Sequence, residues 1–169
     1  MEELRKWFAL YTKPRHEFKA AEQLNSISVE NYLPTITKLK KWSDRKKRVT
    51  EPLFNGYIFI HATEKERFIS VEQKAIIKTI FFDGKPSVIP EWQIDSLRGM
   101  LKETQNVSVL NELVTGNCVK VINGPFSGVE GVIYEVNKDE TMLAISVEML
   151  NRSVLVKLPA ESIVKKSNN

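Results

Sequence analysis

Hydrophobic and polar positions change period several times along this chain, and each change marks an element. Lys6 to Tyr11 (K-W-F-A-L-Y) is short, aromatic and apolar, which predicts a strand buried on both faces. Thr12-Lys13-Pro14 breaks it, with Pro14 placed where a first helical turn loses nothing by a missing N–H. From Arg15 to Ile27, the residues Phe18, Ala21, Leu24 and Ile27 recur every three positions opposite Glu17, Lys19, Glu22 and Gln23, the stripe of a surface helix. Glu30 to Thr37 predicts a second strand, with Pro34 at an edge or a bulge. Lys38 to Thr50 predicts a charged hairpin turning at Ser43-Asp44. After a turn over Glu51 to Gly56, the run Tyr57 to Ala62 puts Tyr57, Phe59 and His61 on one face, with Ile58 and Ile60 on the other. Thr63 and Glu66, three residues apart, form a capping box that opens a helix from Glu64 to about Gln73. Ile76 to Phe82 returns to strand and Asp83 to Pro86 turns it. Pro90 starts a third helix with Ile94, Leu97 and Leu101 inward, Arg98 and Lys102 outward.

Beyond Glu103 the periodicity fades, and the polar stretch from Thr104 reads as a linker. Strands then return at Cys118–Asn123, Gly131–Asn137, Met142–Met149 and Ser153–Leu158, with turns at Asn137 to Glu140 and Asn151-Arg152, and Lys157 to Val164 closes the unit. The predicted fold class is α+β: residues 1–103 form an antiparallel sheet flanked by helices, 104–112 a linker, and 113–169 a small all-β, SH3-like barrel.

Composition narrows the function classes. Apolar residues make up 42% and charged residues 27%, a soluble globular balance, and no apolar run is long enough to span a bilayer. Met1 to Lys6 lacks a signal-peptide core, and the single Cys118 excludes an internal disulfide, so a cytoplasmic location is expected. Two histidines (His16 and His61) and one cysteine make no zinc set, and no nucleophile elbow, Walker A or dinucleotide fingerprint occurs. Neither enzymatic activity nor a metal or cofactor is expected. The net charge of +4 is modest, but Lys38 to Arg48 holds seven basic residues against Asp44 alone. Two readings of that run stay open: a surface for a polyanion, or a solvated hairpin.

One stretch is more specific. From Gly116 to Ile133, the β-branched run around Val119-Lys120-Val121 meets Asn123-Gly124-Pro125, and strand resumes after Gly128 and Gly131. Asn-Gly supplies a tight reversal, Pro125 cannot donate to a ladder, and Phe126 can fold back as an apolar plug. The ordered set Gly116, Val119, Lys120, Val121, Gly124, Pro125, Phe126, Gly128 and Gly131 resembles the KOW motif of transcription elongation factors and some ribosomal proteins.

The first half is similar to the N-terminal domain of the NusG family. Trp7 to Tyr11 matches its opening aromatic strand, and Leu53-Phe54-Asn55-Gly56-Tyr57-Ile58-Phe59-Ile60 its L-F-P-G-Y segment, with Asn55 where proline is usual. Ribosomal KOW proteins, the competing class of binding module, lack both. The segment from Tyr32 to Phe54 further resembles the specialised RfaH- and UpxY-type paralogs of polysaccharide operons; the housekeeping NusG type is the alternative. The resemblance implies a monomeric transcription elongation and antitermination factor with no membrane partner. RNA polymerase would dock through its β′ clamp helices on Tyr11, Phe54, Tyr57, Phe59, Ile94 and Leu97, and through its β gate loop near Arg67 to Val71. Non-template DNA or nascent RNA would meet Lys13, Arg15, His16, Lys40, Lys41, Trp42, Arg45, Lys46, Lys47 and Arg48. Trp42 either stacks on a base, worth ~1–3 kcal/mol, or packs on its own hairpin. Gln23 and Ser26 stand where RfaH carries basic or imidazole groups, so sequence readout would differ. Leu150, with Arg152, falls where the barrel of NusG meets the ribosomal protein NusE or the termination factor Rho.

Overall fold

The structure, a computed structural model, describes residues 3–137, 140–162 and 164–167. The turn expected at Lys138-Asp139 and the closing Ile163 lie outside them. The chain folds into two compact units, Met1–Pro90 and Glu91–Asn169.

The first unit is built on β1 (Lys6–Thr12), α1 (Glu17–Ser26), β2 (Glu30–Tyr32), β3 (Thr35–Lys41), β4 (Lys46–Pro52), β5 (Tyr57–Ala62), α2 (Glu64–Val71), β6 (Ile76–Thr79), β7 (Phe81–Phe82), β8 (Lys85–Pro86) and β9 (Val88–Ile89). The main sheet runs β2-β5-β1-β6, with β9 also pairing β1, and every pairing is antiparallel. β1 is central because its residues Trp7 to Leu10 are apolar at every position and can be buried on both faces. On one face Phe8, Leu10, Ile58 and Ile60 join Ala20 and Leu24 of α1 in the core. Register puts Trp7 opposite His61, Ala9 opposite Phe59 and Tyr11 opposite Tyr57 on the other face.

The helices differ in detail from the sequence pattern. α1 buries Glu17, Ala20 and Leu24, and leaves Phe18 exposed, so the inward stripe is rotated by one position from the expected Phe18-Ala21-Leu24. Glu17 turns in because its Oε1 accepts the buried Gly56 N–H at 2.8 Å, a contact 39 residues distant in sequence. α2 opens with the expected capping box: Thr63 Oγ1 accepts from Glu66 N at 3.2 Å and Glu66 Oε2 from Thr63 N at 2.8 Å. That backbone donor, with Arg5 at 2.7 Å, holds the Glu66 carboxyl below the usual carboxylate range. Arg67 is buried: it bonds Glu64 at 2.6 and 3.0 Å and Thr79 at 3.0 Å, and lies over the rings of Phe8, Phe68 and Phe81.

The second unit comprises α3 (Glu91–Glu103), β10 (Ser108–Leu110), β11 (Cys118–Val121), β12 (Glu130–Asn137), β13 (Glu140–Val147), a 3-10 turn (Glu148–Leu150), β14 (Arg152–Lys157) and β15 (Val164–Lys166). The strands form one antiparallel sheet in the order β10-β14-β13-β12-β11-β15. Val121, Leu143, Ile145, Val147, Val154 and Val156 fill the core, and Phe126 is buried as the plug of the β11–β12 turn. Gly131 is required here: a Cβ on it would stand 2.5 Å from the Ala144 carbonyl oxygen of β13. Ser146 and Ser153, paired across β13 and β14, bond each other and the backbone of Glu112 and Val114, which ties the incoming chain to the sheet. Within the stretch read as a linker, β10 pairs with β14 through Ser108, Val109 and Leu110, and Val107 is buried while Val109 stays exposed. α3, grouped by sequence with the first 103 residues, packs in the second unit against β12 and β13, where Ser96 Oγ accepts Glu130 N–H at 3.0 Å.

Candidate functional site

β3 and β4 pair only with each other, in a ribbon whose residues from Lys38 to Arg48 are all exposed. A run so rich in lysine and arginine has no apolar face to bury, so it forms a two-stranded arm rather than a layer of the core. Register sets Lys40 opposite Lys47, Lys41 opposite Lys46, and Leu39 opposite Arg48. Like charges directly opposite destabilise a ribbon. Lys40 is relieved by an ion pair with Glu51, and Thr37 and Thr50 share a hydroxyl contact at 2.9 Å. Trp42, 54% exposed, carries the Lys47 ammonium 5.8 Å from its ring centroid. Lys40, Lys41, Trp42, Arg45, Lys46, Lys47 and Arg48 are therefore brought together on one arm. Lys13, Arg15 and His16 lie in the loop before α1, where His16 Nδ1 donates to the Pro14 carbonyl at 2.8 Å.

Between that loop and the foot of the ribbon lies a concavity of about 560 Å³ lined by Tyr11, Arg15, Glu17, Pro52, Asn55 and Gly56 among others. Tyr11 and Tyr57, cross-strand neighbours with ring centroids 5.4 Å apart, are half-buried at its side of the sheet. Gly56 makes the turn, at φ 84°, and a Cβ there would come within 3.0 Å of the Tyr11 ring. Beside them runs a row of ring contacts: Trp7 stacks on His61 at 5.1 Å, Tyr32 lies 6.4 Å from Phe59, and Phe54 meets Phe59 edge-on at 6.0 Å. The Glu30 carboxylate reaches His61 Nδ1 at 2.8 Å.

Several expected contact residues are not at the surface. Phe54 and Phe59 are buried, packed on each other, because the turn folds Phe54 back over β5 instead of presenting it. Ile94 and Leu97 are fully buried on α3, whose apolar positions are consumed by packing. Leu150 is buried as well: the 3-10 turn and the left-handed Asn151, at φ 49°, point it into the barrel, while Arg152 bonds the Leu150 and Asn151 carbonyls. Arg67 is spent inside the unit, leaving Phe68 and Ile69 exposed on α2. Sequence reasoning missed Glu17 as a member of the site, and it missed the exposed Phe81 and Phe82. A hairpin signal, Asp83-Gly84 after two aromatics, was the available cue for the latter.

Among the described residues no group of three His, Cys, Asp or Glu side chains could hold a metal ion. Among the same residues no helix is long and apolar enough to cross a membrane. An antiparallel α+β unit bearing a basic ribbon, joined to a KOW-type barrel, defines a class of proteins that act on transcription. Comparison with known proteins gives the family. Residues 5–98 match the model of "Transcription termination factor nusG". The transcription termination/antitermination protein NusG of Lactococcus lactis is 29% identical over 93% of this chain and 91% of its own length. That of Borreliella burgdorferi is 25% identical over 95% and 98%. A solved structure of Thermotoga maritima NusG, described for its domain interaction, shares the fold with a TM-score of 0.52 at 19% identity, covering 96% of this chain and 97% of that one. The chain belongs to the NusG family and is a NusG-type transcription factor.

Proposed function

We propose that this protein binds RNA polymerase through the sheet face at Tyr11 and Tyr57 and holds its ribbon against nucleic acid beside the enzyme, sustaining transcription of particular, polysaccharide-type operons. The observation that carries this reading is the placement of Tyr11 and Tyr57 beside an open concavity at the foot of the basic arm. Aromatic rings held by a strand give large contact area at small ordering cost. The clamp helices of the β′ subunit fit such a face, and the exposed Phe68 and Ile69 of α2 offer the gate loop of the β subunit an apolar step. The housekeeping NusG role is the alternative, and the names of the curated relatives favour it. Support for the specialised role is the basic ribbon itself, with Lys38, Lys40 and Lys41 on one strand and Lys46, Lys47 and Arg48 on the other.

The test is co-elution with core polymerase. Tyr57→Ala should weaken association by roughly thirtyfold, the size of a ~2 kcal/mol contact hot spot, with the melting temperature held within a few degrees. Wild-type protein that fails to co-elute, or a Tyr57→Ala loss of binding matched by an equal loss of folding, overturns the assignment.

A further inference from the structure

Which form of nucleic acid the ribbon grips is a separate question, and any answer rests on the proposal that the ribbon meets nucleic acid at all. Side chains alternate across a ribbon, so the register sorts its cations by face. Lys41, Lys46 and Arg48 share one face with Leu39; Lys38, Lys40 and Lys47 share the other, with Trp42 turned to Lys47. Glu51 lies on that second face and neutralises Lys40, which leaves Lys38 and Lys47 there. Both faces are exposed from Lys38 to Arg48, and both are cationic.

A single strand offers one chain of phosphates and is held by a groove with aromatic platforms on one side. Cations divided between opposite faces would then leave about half of them in water. Two phosphate chains at once are reached only by an arm lying between them. A ribbon with side chains on both faces is ~10 Å thick, the spacing of packed sheets. B-form DNA has a major groove ~12 Å wide, which admits a two-stranded ribbon, and a minor groove of ~6 Å, which does not. A-form RNA offers only a deep narrow groove and a shallow one. Trp42 carries the Lys47 ammonium 5.8 Å from its ring centroid, so one side of the ring is turned to its own hairpin.

We propose that the β3–β4 ribbon seats in the major groove of duplex DNA, with one cationic face toward each phosphate chain. The experiment uses the full chain and fluorescence anisotropy on a DNA duplex of about 20 base pairs, its separate strand, and an RNA duplex of the same sequence. Salt is varied between about 50 and 200 mM. Two variants reverse charge on one face each, Lys46→Glu with Arg48→Glu, and Lys38→Glu with Lys47→Glu. The DNA duplex should bind at least tenfold tighter than the other two probes. Each variant should lose at least tenfold, with its logarithmic salt slope reduced by about 2, at ~0.9 per phosphate contact. Single strand or RNA duplex bound as tightly as DNA duplex, or one face silent to charge reversal, overturns the groove assignment while leaving the nucleic-acid reading in place. Absence of salt-dependent binding to all three probes removes both.

Discussion

Glu17 offers the sharpest test of how the site is held. Its carboxylate is 5% exposed, and Oε1 accepts the Gly56 N–H at 2.8 Å. Gly56 in turn accepts from Thr12 N at 2.8 Å, so the turn beside Tyr11 and Tyr57 is clamped between α1 and β1. Replacing Glu17 by Ala removes a charge-assisted hydrogen bond, worth ~1.5–3 kcal/mol. It also removes the acid in the first turn of α1, worth ~0.3–1 kcal/mol where, as here, the N-cap side chain makes no bond. The concavity lined by Glu17 and Gly56 lets water reach the orphaned amide, which favours the lower end, about 2 kcal/mol. For a unit of this size that corresponds to a fall in melting temperature on the order of 10 °C. Glu17→Gln keeps an acceptor and should lose about half as much. The assay is thermal unfolding alongside amide hydrogen exchange at Gly56, which should quicken in Glu17→Ala before the core amides do. If exchange at Gly56 and the melting temperature both stay at wild-type values in Glu17→Ala, the carboxylate does not clamp the turn.

Two more outcomes can be expected from the packing. Gly131→Ala pushes a methyl group against the Ala144 carbonyl oxygen, backbone that cannot swing aside, so the barrel should lose ~1–3 kcal/mol or more; wild-type stability by chemical denaturation would show that β12 and β13 can part at no cost. Glu66, its carboxyl held low chiefly by the Thr63 amide, stabilises α2 above the ordinary carboxylate pKa, and that stabilisation is lost as pH falls through the lowered value. Protection of amides in the first turn of α2, taken relative to their intrinsic exchange rates, should therefore fall on acidification below about pH 4, and Glu66→Gln should abolish that loss without abolishing the helix.

Most of the fold was legible because local chemistry carried it. The aromatic run of β1, the Thr63 capping box and the Asn123-Gly124-Pro125 reversal each specify their geometry within a few residues. What stayed hidden depended on partners distant in sequence. Glu17 scores as an outward charge on any helical wheel, and only the Gly56 amide, folded beside it, turns it in. Phe54 in a turn looks free until Phe59 is seen underneath, and Leu150 looks like a knob until Asn151 reverses the chain. Arg67 was the same error with the sign of charge changed, since Glu64, Thr79 and three rings satisfy it internally. The basic ribbon, by contrast, was plain from sequence, because eleven residues without an apolar stripe have nowhere to be but in solvent.

The connection between the two surfaces of the first unit bears on how they act together. β4 ends at Pro52 and β5 begins at Tyr57, so only four residues separate the basic ribbon from the aromatic face. Those residues are tied at both ends: Leu53 N donates to Pro34 O at 2.8 Å, Tyr57 N to Phe54 O at 3.2 Å, and Gly56 N to Glu17. An arm on a slack hinge would search a wide volume after the face had docked, whereas a short bonded turn fixes its direction. On the proposed function, docking of Tyr11 and Tyr57 on polymerase would present the ribbon at high effective concentration to DNA held by that enzyme. Salt-sensitive phosphate contacts that the free chain already makes would be strengthened under that condition. On the proposed function a loosened turn, as in Glu17→Ala, should therefore lower DNA engagement even with every lysine and arginine of the ribbon in place, because Glu17 holds the Gly56 amide between the two surfaces.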